Sequence, residues 1–303
     1  MKLIINRSTD PYFNLAFEEY LLKEIRSTED FLILYRNRPS IIVGRNQNPF
    51  EEINQTFLNS NSLPIVRRIS GGGTVYHDLG NLNYSFITSD LKDSISNYKK
   101  FTKPIIDFLH ELNVPATFHG KSDILVHGLK ISGNAQSYYS NRMLHHGTML
   151  FDSNLDQIYE LLHTNNIKAE SKSIRSNKSK VANIKSFLPN SMTIDLFEDS
   201  LITFIKREFE YVSTEIPIDE HDMKRIIDLS TSKYQSWSWN FGETPEFIIH
   251  HNIEYQGVLY VIHLRIKHGL MHIKNIEPTN NKFLEMIIKS FENKEYSPIL
   301  FKE

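Results

Sequence analysis

The stretch Arg67-Arg68-Ile69-Ser70-Gly71-Gly72-Gly73-Thr74-Val75-Tyr76-His77-Asp78-Leu79-Gly80-Asn81 constrains the fold more than any other. Three consecutive glycines carry no Cβ, so the chain there can take positive φ and turn its amide N–H groups toward a ligand at close range. Two arginines immediately upstream can fork onto phosphate or carboxylate oxygens. Thr74, Val75 and Tyr76 have strand propensity and anchor the loop to a sheet. A flexible turn is the bland reading of the glycines alone. The flanks instead predict a recognition loop for an anion.

Two other phosphate motifs fail on spacing. A P-loop ending at Gly120-Lys121-Ser122 needs a glycine where Pro115 stands, and a dinucleotide fingerprint begun at Gly71 needs one where Tyr76 stands. The chain has no cysteine, which excludes disulfides, thiolate metal sites and a thioacyl intermediate on the protein itself. Its formal net charge of −2 predicts no general affinity for nucleic acid or anionic lipid. The opening apolar run, Met1 to Asn6, is too short for a signal-peptide core or a transmembrane span, so a cytoplasmic location and no membrane partner are expected.

Asp10 before Pro11 is a helix start, followed by Phe13, Phe17, Tyr20 and Leu21 at helical spacing for core packing. Strands are expected at Phe31 to Tyr35, Ile41 to Gly44, Val75 to Tyr76, Leu82 to Ile87, Asp123 to Val126 and Gly147 to Phe151. Helices are expected at Tyr98 to Leu112, Leu155 to Leu162 and Ile194 to Phe209. Strands and helices mixed without regular alternation predict an α+β fold. Around Ser230 to Pro245 the texture becomes polar, aromatic and turn-forming, and a new block of strands from Phe247 to Ile273 precedes a terminal helix. The expected organisation is a catalytic domain over residues 1–242 and a small α+β domain over 243–303.

Further motifs extend the pattern of the glycine stretch. They are Asp10-Pro11-Tyr12-Phe13-Asn14-Leu15-Ala16-Phe17-Glu18-Glu19, Asn37-Arg38-Pro39 through Gly44-Arg45-Asn46-Gln47-Asn48-Pro49, and Lys121-Ser122-Asp123-Ile124-Leu125. Lys130-Ile131-Ser132-Gly133-Asn134-Ala135-Gln136, His145-His146-Gly147-Thr148, Ser176 to Ile184 and Trp237-Ser238-Trp239-Asn240-Phe241-Gly242 follow. Taken together, nearly end to end, the chain resembles lipoate–protein ligases of the A family in the biotin/lipoate ligase superfamily. The resemblance implies a mixed-sheet catalytic domain of that superfamily's type with a small accessory domain. That domain looks shortened, because longer ligases continue past Tyr296-Ser297-Pro298. The Gly-Arg-Gly-Arg loop usual in biotin ligases is absent.

The implied reaction activates lipoate with ATP to lipoyl-AMP and pyrophosphate, then passes the lipoyl group to a lysine of an acceptor. Implied acceptors are lipoyl domains of 2-oxoacid dehydrogenase E2 subunits and the glycine cleavage H protein. Two anions must meet in such a site, so a fixed cation is required there. The family's adenylate-contacting lysine falls on Lys130, whose role would be electrostatic. Arg68, Gly73, Thr74, Val75, Tyr76, Asn81, Asp123 and Lys130 are expected at the nucleotide, although Tyr76 can equally be an ordinary strand aromatic. Arg67, Ser70, Gly71, Gly72, His77 and Lys130 are expected at lipoate, and Asp123 is the candidate for Mg²⁺. The acyl chain is expected against the strands near Leu34 and Val43.

His145 and His146, as neighbours on a strand, point to opposite faces and cannot chelate together, so hydrogen bonding is their expected work and that of His77. The basic stretch Lys172, Arg175, Lys178 and Lys180 reads as a solvated loop, and the resemblance makes Lys178 and Lys180 a clamp over the adenylate. Two alternatives stand beside the ligase: a lipoyl amidotransferase moving the group between carrier proteins, and a non-catalytic protein binding nucleotide or lipoyl groups.

Overall fold

The computed structural model describes residues 1–25, 29–54, 62–162, 169–176, 179–209, 213, 218–279 and 281–301. Its strands are β1 (Lys2–Asn6), β2 (Phe31–Tyr35), β3 (Ser40–Val43), β4 (Ile65–Arg67), β5 (Val75–His77), β6 (Asn81–Thr88) and β7 (Ala116–His119). There follow β8 (Asp123–Val126), β9 (Leu129–Tyr139), β10 (Arg142–Leu150), β11 (Glu170–Ser171), β12 (Phe247–Tyr255), β13 (Val258–Lys267) and β14 (Leu270–Glu277). The α-helices are α1 (Pro11–Lys23), α2 (Pro49–Glu52), α3 (Tyr98–Glu111), α4 (Leu155–Leu162), α5 (Ile194–Glu208), α6 (Glu220–Leu229) and α7 (Lys282–Lys289).

A 7-stranded sheet runs β1-β2-β6-β10-β9-β8-β7. Only its β1–β2 pair is parallel, which makes the sheet mixed as an α+β fold predicts. Both of its faces are covered. Along β2, Phe31, Ile33 and Tyr35 pack with Leu15, Phe17 and Leu21 of α1, while Leu32 and Leu34 pack with Phe108 of α3 and Phe197 and Leu201 of α5. The two-residue period therefore divides one strand between two cores, which is why its sequence is apolar at every position. Helix α1 starts as expected, with the Asp10 carboxylate accepting from the Tyr12 amide at 3.1 Å.

The second sheet, β4-β3-β5, is small and carries the glycine stretch. A third, β11-β12-β13-β14, forms with α7 a separate core of Phe247, Ile262, Leu264, Met271 and Leu284, into which Phe50 of α2 also packs. One strand of that sheet, β11, lies far upstream of residue 243.

Several elements are missing from the sequence-based expectation. β1, β4, β7 and α6 carried no recognised signal, and β9 is 11 residues long where only a motif was noted. The polar region after residue 230 is not a turn. It continues from α6 as two π-helical segments, Ser230–Tyr234 and Ser238–Gly242, a geometry in which carbonyls loosen from the helix and become available to other donors.

Candidate active site

The glycine loop spans the gap between β4 and β5, which flank β3 on opposite sides and do not pair with each other. It crosses the end of β3, where the Arg68 amide donates to the Val43 carbonyl at 2.9 Å and the Arg45 amide to the Ser70 carbonyl at 2.8 Å. Gly72 has φ +90°, a conformation that L side chains rarely adopt. Gly44 lies beneath it, and a Cβ there would overlap the Gly72 carbonyl. Gly44→Ala is therefore expected to push the loop out of place and weaken nucleotide binding by roughly 10-fold or more, on the scale of an overpacked site. Titration with a fluorescent ATP analogue checks this, and unchanged affinity would show that the loop tolerates the shift.

The structure corrects the expectation for Arg67. Its side chain is 0% exposed and points away from the loop. Its guanidinium donates to the carbonyls of Trp239, Gly44, Arg45, Gln47 and Asn240 and to the Thr244 hydroxyl, at 2.7 to 3.2 Å. A guanidinium has five N–H donors, so none is left for a lipoate carboxylate in this conformation. Arg67 ties the strand end to the π-helical segments. Arg68 turns the other way and shapes the loop itself, donating to the Ser70 hydroxyl at 3.0 Å and to the Gly71 and Gly73 carbonyls at 2.6 and 2.8 Å. Burial lowers each of these guanidinium pKa values to about 10, with Arg45 adding to the effect at Arg67 and Glu18 opposing it at Arg68.

Strand β9 passes under this loop: a Cβ on Gly72 would stand 3.9 Å from the Ala135 Cβ. Five residues back along β9, Lys130 Nζ forms an ion pair of 2.9 Å with the Asp123 carboxylate, each side chain being about a quarter exposed. Asp123 faces Gly133 in the ladder, and a register shift between Ile124 and Leu125 brings Leu125 opposite Lys130. A Cβ on Gly133 would press on Lys130 Cε and Nζ at 3.0 and 3.1 Å, so the missing side chain makes room for the ammonium. The Lys130 backbone also accepts a neighbour. Its amide donates to the Lys180 carbonyl at 2.9 Å and its carbonyl accepts from the Ala182 amide at 3.0 Å.

The segment before Lys180 touches the glycine loop as well. The Thr74 amide donates to Ser176 Oγ at 2.8 Å, Gln47 donates to the same oxygen at 3.0 Å, and Ser176 Oγ in turn donates to Glu52. Thr74 Oγ1 donates to Gln47 Oε1 at 2.9 Å. Lys180 is exposed, and Lys178 lies outside the described residues. Gly71 faces open space.

Other expected site residues separate. Tyr76 is buried in the core with Ile41 and Val43, its hydroxyl donating to Gln157, and burial pushes its pKa up to about 12. The strand-aromatic reading therefore describes Tyr76, and Val75 packs partly buried against the α1 core. Leu34 and Val43 belong to different cores and do not line one acyl pocket. Asn81 is 0% exposed. Its amide nitrogen donates to Asn83 at 2.8 Å, while its Oδ1 is buried without a partner.

Three histidines lie near the loop. His77 Nδ1 meets the Asn37 amide at 2.9 Å, and its Nε2 is a buried polar atom without a partner. His145 meets Gln136 and Asn134 at 3.1 and 3.2 Å and stacks on Phe101. His146 points to the opposite face and meets Ser70 Oγ at 2.6 Å and Glu18 at 3.0 Å. His146 does the hydrogen bonding expected of it, whereas Glu18, Gln47, Gly133 and Ser176 carried no assigned role in the sequence. For Glu18 a signal existed, since Asn14 and Glu18 sit four residues apart on a helix whose other buried positions are mostly apolar.

Burial lowers the His77 pKa to about 3, helped by Arg68 and His146, and lowers that of His145 to about 3, helped by His146. In the unfolded chain both protonate near pH 6.5, so the unfolded state binds more protons between about pH 6.5 and pH 3. Stability present above pH 6.5 is thus lost as pH falls, by about 1.4 kcal/mol per pH unit for each histidine. Urea unfolding at pH 7.5, 6 and 5 measures this. A wild-type slope matching that of His145→Gln in this window would remove His145 from the account.

Among the described residues no helix is long and apolar enough to cross a membrane. A family model described as the lipoyl protein ligase A/B catalytic domain matches residues 10–206. Lipoate-protein ligase LplJ of Bacillus subtilis is 45% identical over 261 residues, 86% of this chain and 79% of that protein. Protein Ta0514 of T. acidophilum, solved with bound lipoic acid, superposes with a TM-score of 0.68 at 25% identity over 80% of this chain and 98% of that one. A lipoate-protein ligase A bound with ATP superposes with a TM-score of 0.67 at 25% identity, over the same shares of the two chains. A glycine loop crossing the end of β3, a lysine paired with Asp123 on the strand that passes under that loop, and a match across most of the chain converge: this protein belongs to the lipoyl protein ligase A/B family.

Proposed function

We propose that the protein is an ATP-dependent lipoate–protein ligase that forms lipoyl-AMP and transfers the lipoyl group to a specific lysine of an acceptor lipoyl domain. The observation that carries this is Lys130, held at 2.9 Å by Asp123 on a strand that runs beneath the glycine loop. Family membership supports it, as do the similar proteins solved with lipoic acid and with ATP.

The lipoate carboxylate attacks the α-phosphorus and pyrophosphate leaves. Both partners are anions, and the Lys130 ammonium offsets the charge that accumulates where they meet. The acceptor amine then attacks the acyl carbonyl, loses a proton as the amide forms, and AMP departs. Ser70, Gly71, Gly72 and His77 border the acyl carboxylate in this reading. Gly73, Thr74, Val75 and Asn81 border the nucleotide, and Arg68 holds the loop carbonyls that separate the two. Lys178 and Lys180 close over the adenylate and keep water from the anhydride.

Mg²⁺ fits as a phosphate-bound ion. Among the described residues no group of three or more acidic, histidine or cysteine side chains is poised for a metal, whereas magnesium takes one or two carboxylates with phosphate oxygens. Asp123 is the carboxylate that would hold it, and when bound it would neutralise phosphate charge. The catalytic domain spans 1–242 and the accessory domain 243–303. Acceptors are E2 lipoyl domains and the glycine cleavage H protein, and the compartment is the cytoplasm.

Lipoate-dependent pyrophosphate release, measured with and without an acceptor lipoyl domain whose mass is then read, tests the reading. Release together with an acylated acceptor is the expected result. No release, but transfer from a lipoylated donor protein, makes the protein an amidotransferase; neither activity leaves a binding protein.

A further inference from the structure

Beneath the glycine loop a chain of buried polar groups runs from helix α1 to Ser70. Glu18 is 1% exposed, Ser70 1% and His146 8%. The Glu18 carboxylate accepts from the Tyr35 hydroxyl at 3.0 Å and from Ser85, and faces His146 Nδ1 at 3.0 Å. His146 Nε2 stands 2.6 Å from Ser70 Oγ, which also accepts from Arg68 Nε at 3.0 Å. The same arginine holds the Gly71 and Gly73 carbonyls.

The chemistry of the partners sets the direction of each bond. An ionised carboxylate only accepts, so His146 Nδ1 carries the hydrogen facing it. An imidazole whose single hydrogen sits on Nδ1 accepts at Nε2, and the Ser70 hydrogen then points toward it. Arg68, which has no lone pair to offer, donates to Ser70 from the other side. One orientation of the Ser70 hydroxyl satisfies every member, and a fully satisfied buried network rigidifies its surroundings.

Resting on the ligase reading above, we propose that Glu18 and His146 are positioning residues that act on the acyl substrate through Ser70. Glu18 selects the histidine tautomer, the tautomer selects the hydroxyl orientation, and the hydroxyl with Arg68 sets the entrance of the glycine loop. Neither Glu18 nor His146 exchanges a proton with substrate in this scheme. Replacing Glu18 by glutamine, nearly equal in shape, lets the amide donate to Nδ1 and moves the histidine hydrogen to Nε2. Two donors then converge on Ser70 Oγ, and the serine hydrogen loses its acceptor.

The test pairs a direct readout with kinetics. ¹⁵N NMR of the free protein, with His146 assigned by its loss in His146→Gln, is expected to show the Nδ1–H tautomer in wild type and in Ser70→Ala. Glu18→Gln is expected to show Nε2–H, and Glu18→Asp to keep Nδ1–H. In lipoate-dependent pyrophosphate release, Glu18→Gln and Ser70→Ala should each raise the KM for lipoate by roughly 10- to 100-fold, the range for a lost hydrogen bond to a charged group. The KM for ATP should move far less. Because one residue acts through the other, the double variant Glu18→Gln/Ser70→Ala should be no worse than Ser70→Ala alone. An Nδ1–H tautomer persisting in Glu18→Gln, or fully additive effects in the double variant, would overturn the relay. The NMR arm needs no turnover, so failure of the relay and failure of the ligase reading are read separately.

Discussion

Lys130→Ala is expected to lower lipoate-dependent pyrophosphate release by on the order of 10² to 10³-fold or more, the scale for removing one preorganised electrostatic group from a reacting centre. The site around it is built for a fixed cation. Asp123 orients the ammonium at 2.9 Å, Gly133 leaves space for it, and its backbone is bonded on both sides to the segment at residues 180 and 182. Lys130→Arg should recover only part of the rate, because a planar fork does not fill the space of a compact ammonium. Removing Lys130 also leaves Asp123 without its cation beside an incoming triphosphate. Asp123→Asn therefore serves as the control: it keeps the lysine, and its loss should be smaller. Undiminished adenylate formation by Lys130→Ala, followed as radiolabelled lipoyl-AMP, would sink the assignment.

The second large effect is on stability. Arg67→Met is expected to destabilise the fold by on the order of 3 to 5 kcal/mol, since it removes the donors of a buried network and leaves several carbonyls unpaired. Those carbonyls belong to Arg45, Gln47, Trp239 and Asn240, while that of Gly44 keeps the Gln47 amide at 3.1 Å. Lysine is a poor substitute because its three donors radiate from one atom and cannot reach so many acceptors. Chemical denaturation measures the change. A loss under about 1 kcal/mol, with a raised KM for lipoate instead, would return Arg67 to the ligand-binding role expected of it.

The arginine pair shows how far the sequence was legible. Two adjacent guanidinium groups before a glycine run do mark the loop, and family resemblance brought both into the site. Adjacent strand residues face opposite ways, however, so Arg67 and Arg68 cannot share a ligand unless the backbone turns between them. Their partners separate accordingly: carbonyls of residues 44–47 and of the second π-helical segment for one, glycine-loop carbonyls for the other. No local pattern announces those π-helical carbonyls, because Asn240 lies 173 residues from Arg67. The long-range relay was hidden for the same reason. Glu18 and His146 are 128 residues apart, and only the polar Asn14 and Glu18 stripe on α1 hinted that the helix served more than packing. Strands with two-sided burial, such as β2, were readable from composition alone. β1 was not, since its parallel pairing with β2 depends on a chain crossover that no short window contains.

The segment from β11 to Ser176 joins three places: the edge of the accessory sheet through Ser171 and Phe247, helix α2 through Glu51 and Glu52, and the glycine loop through Thr74. Such a tether is indifferent to which end is pulled. Thermodynamic reciprocity requires that whatever factor an occupied loop imposes on the docking of the accessory sheet, a shift of that sheet imposes on the affinity of the loop. The tether thus makes the loop and the edge of that sheet the two ends of one measurable linkage, readable from either side.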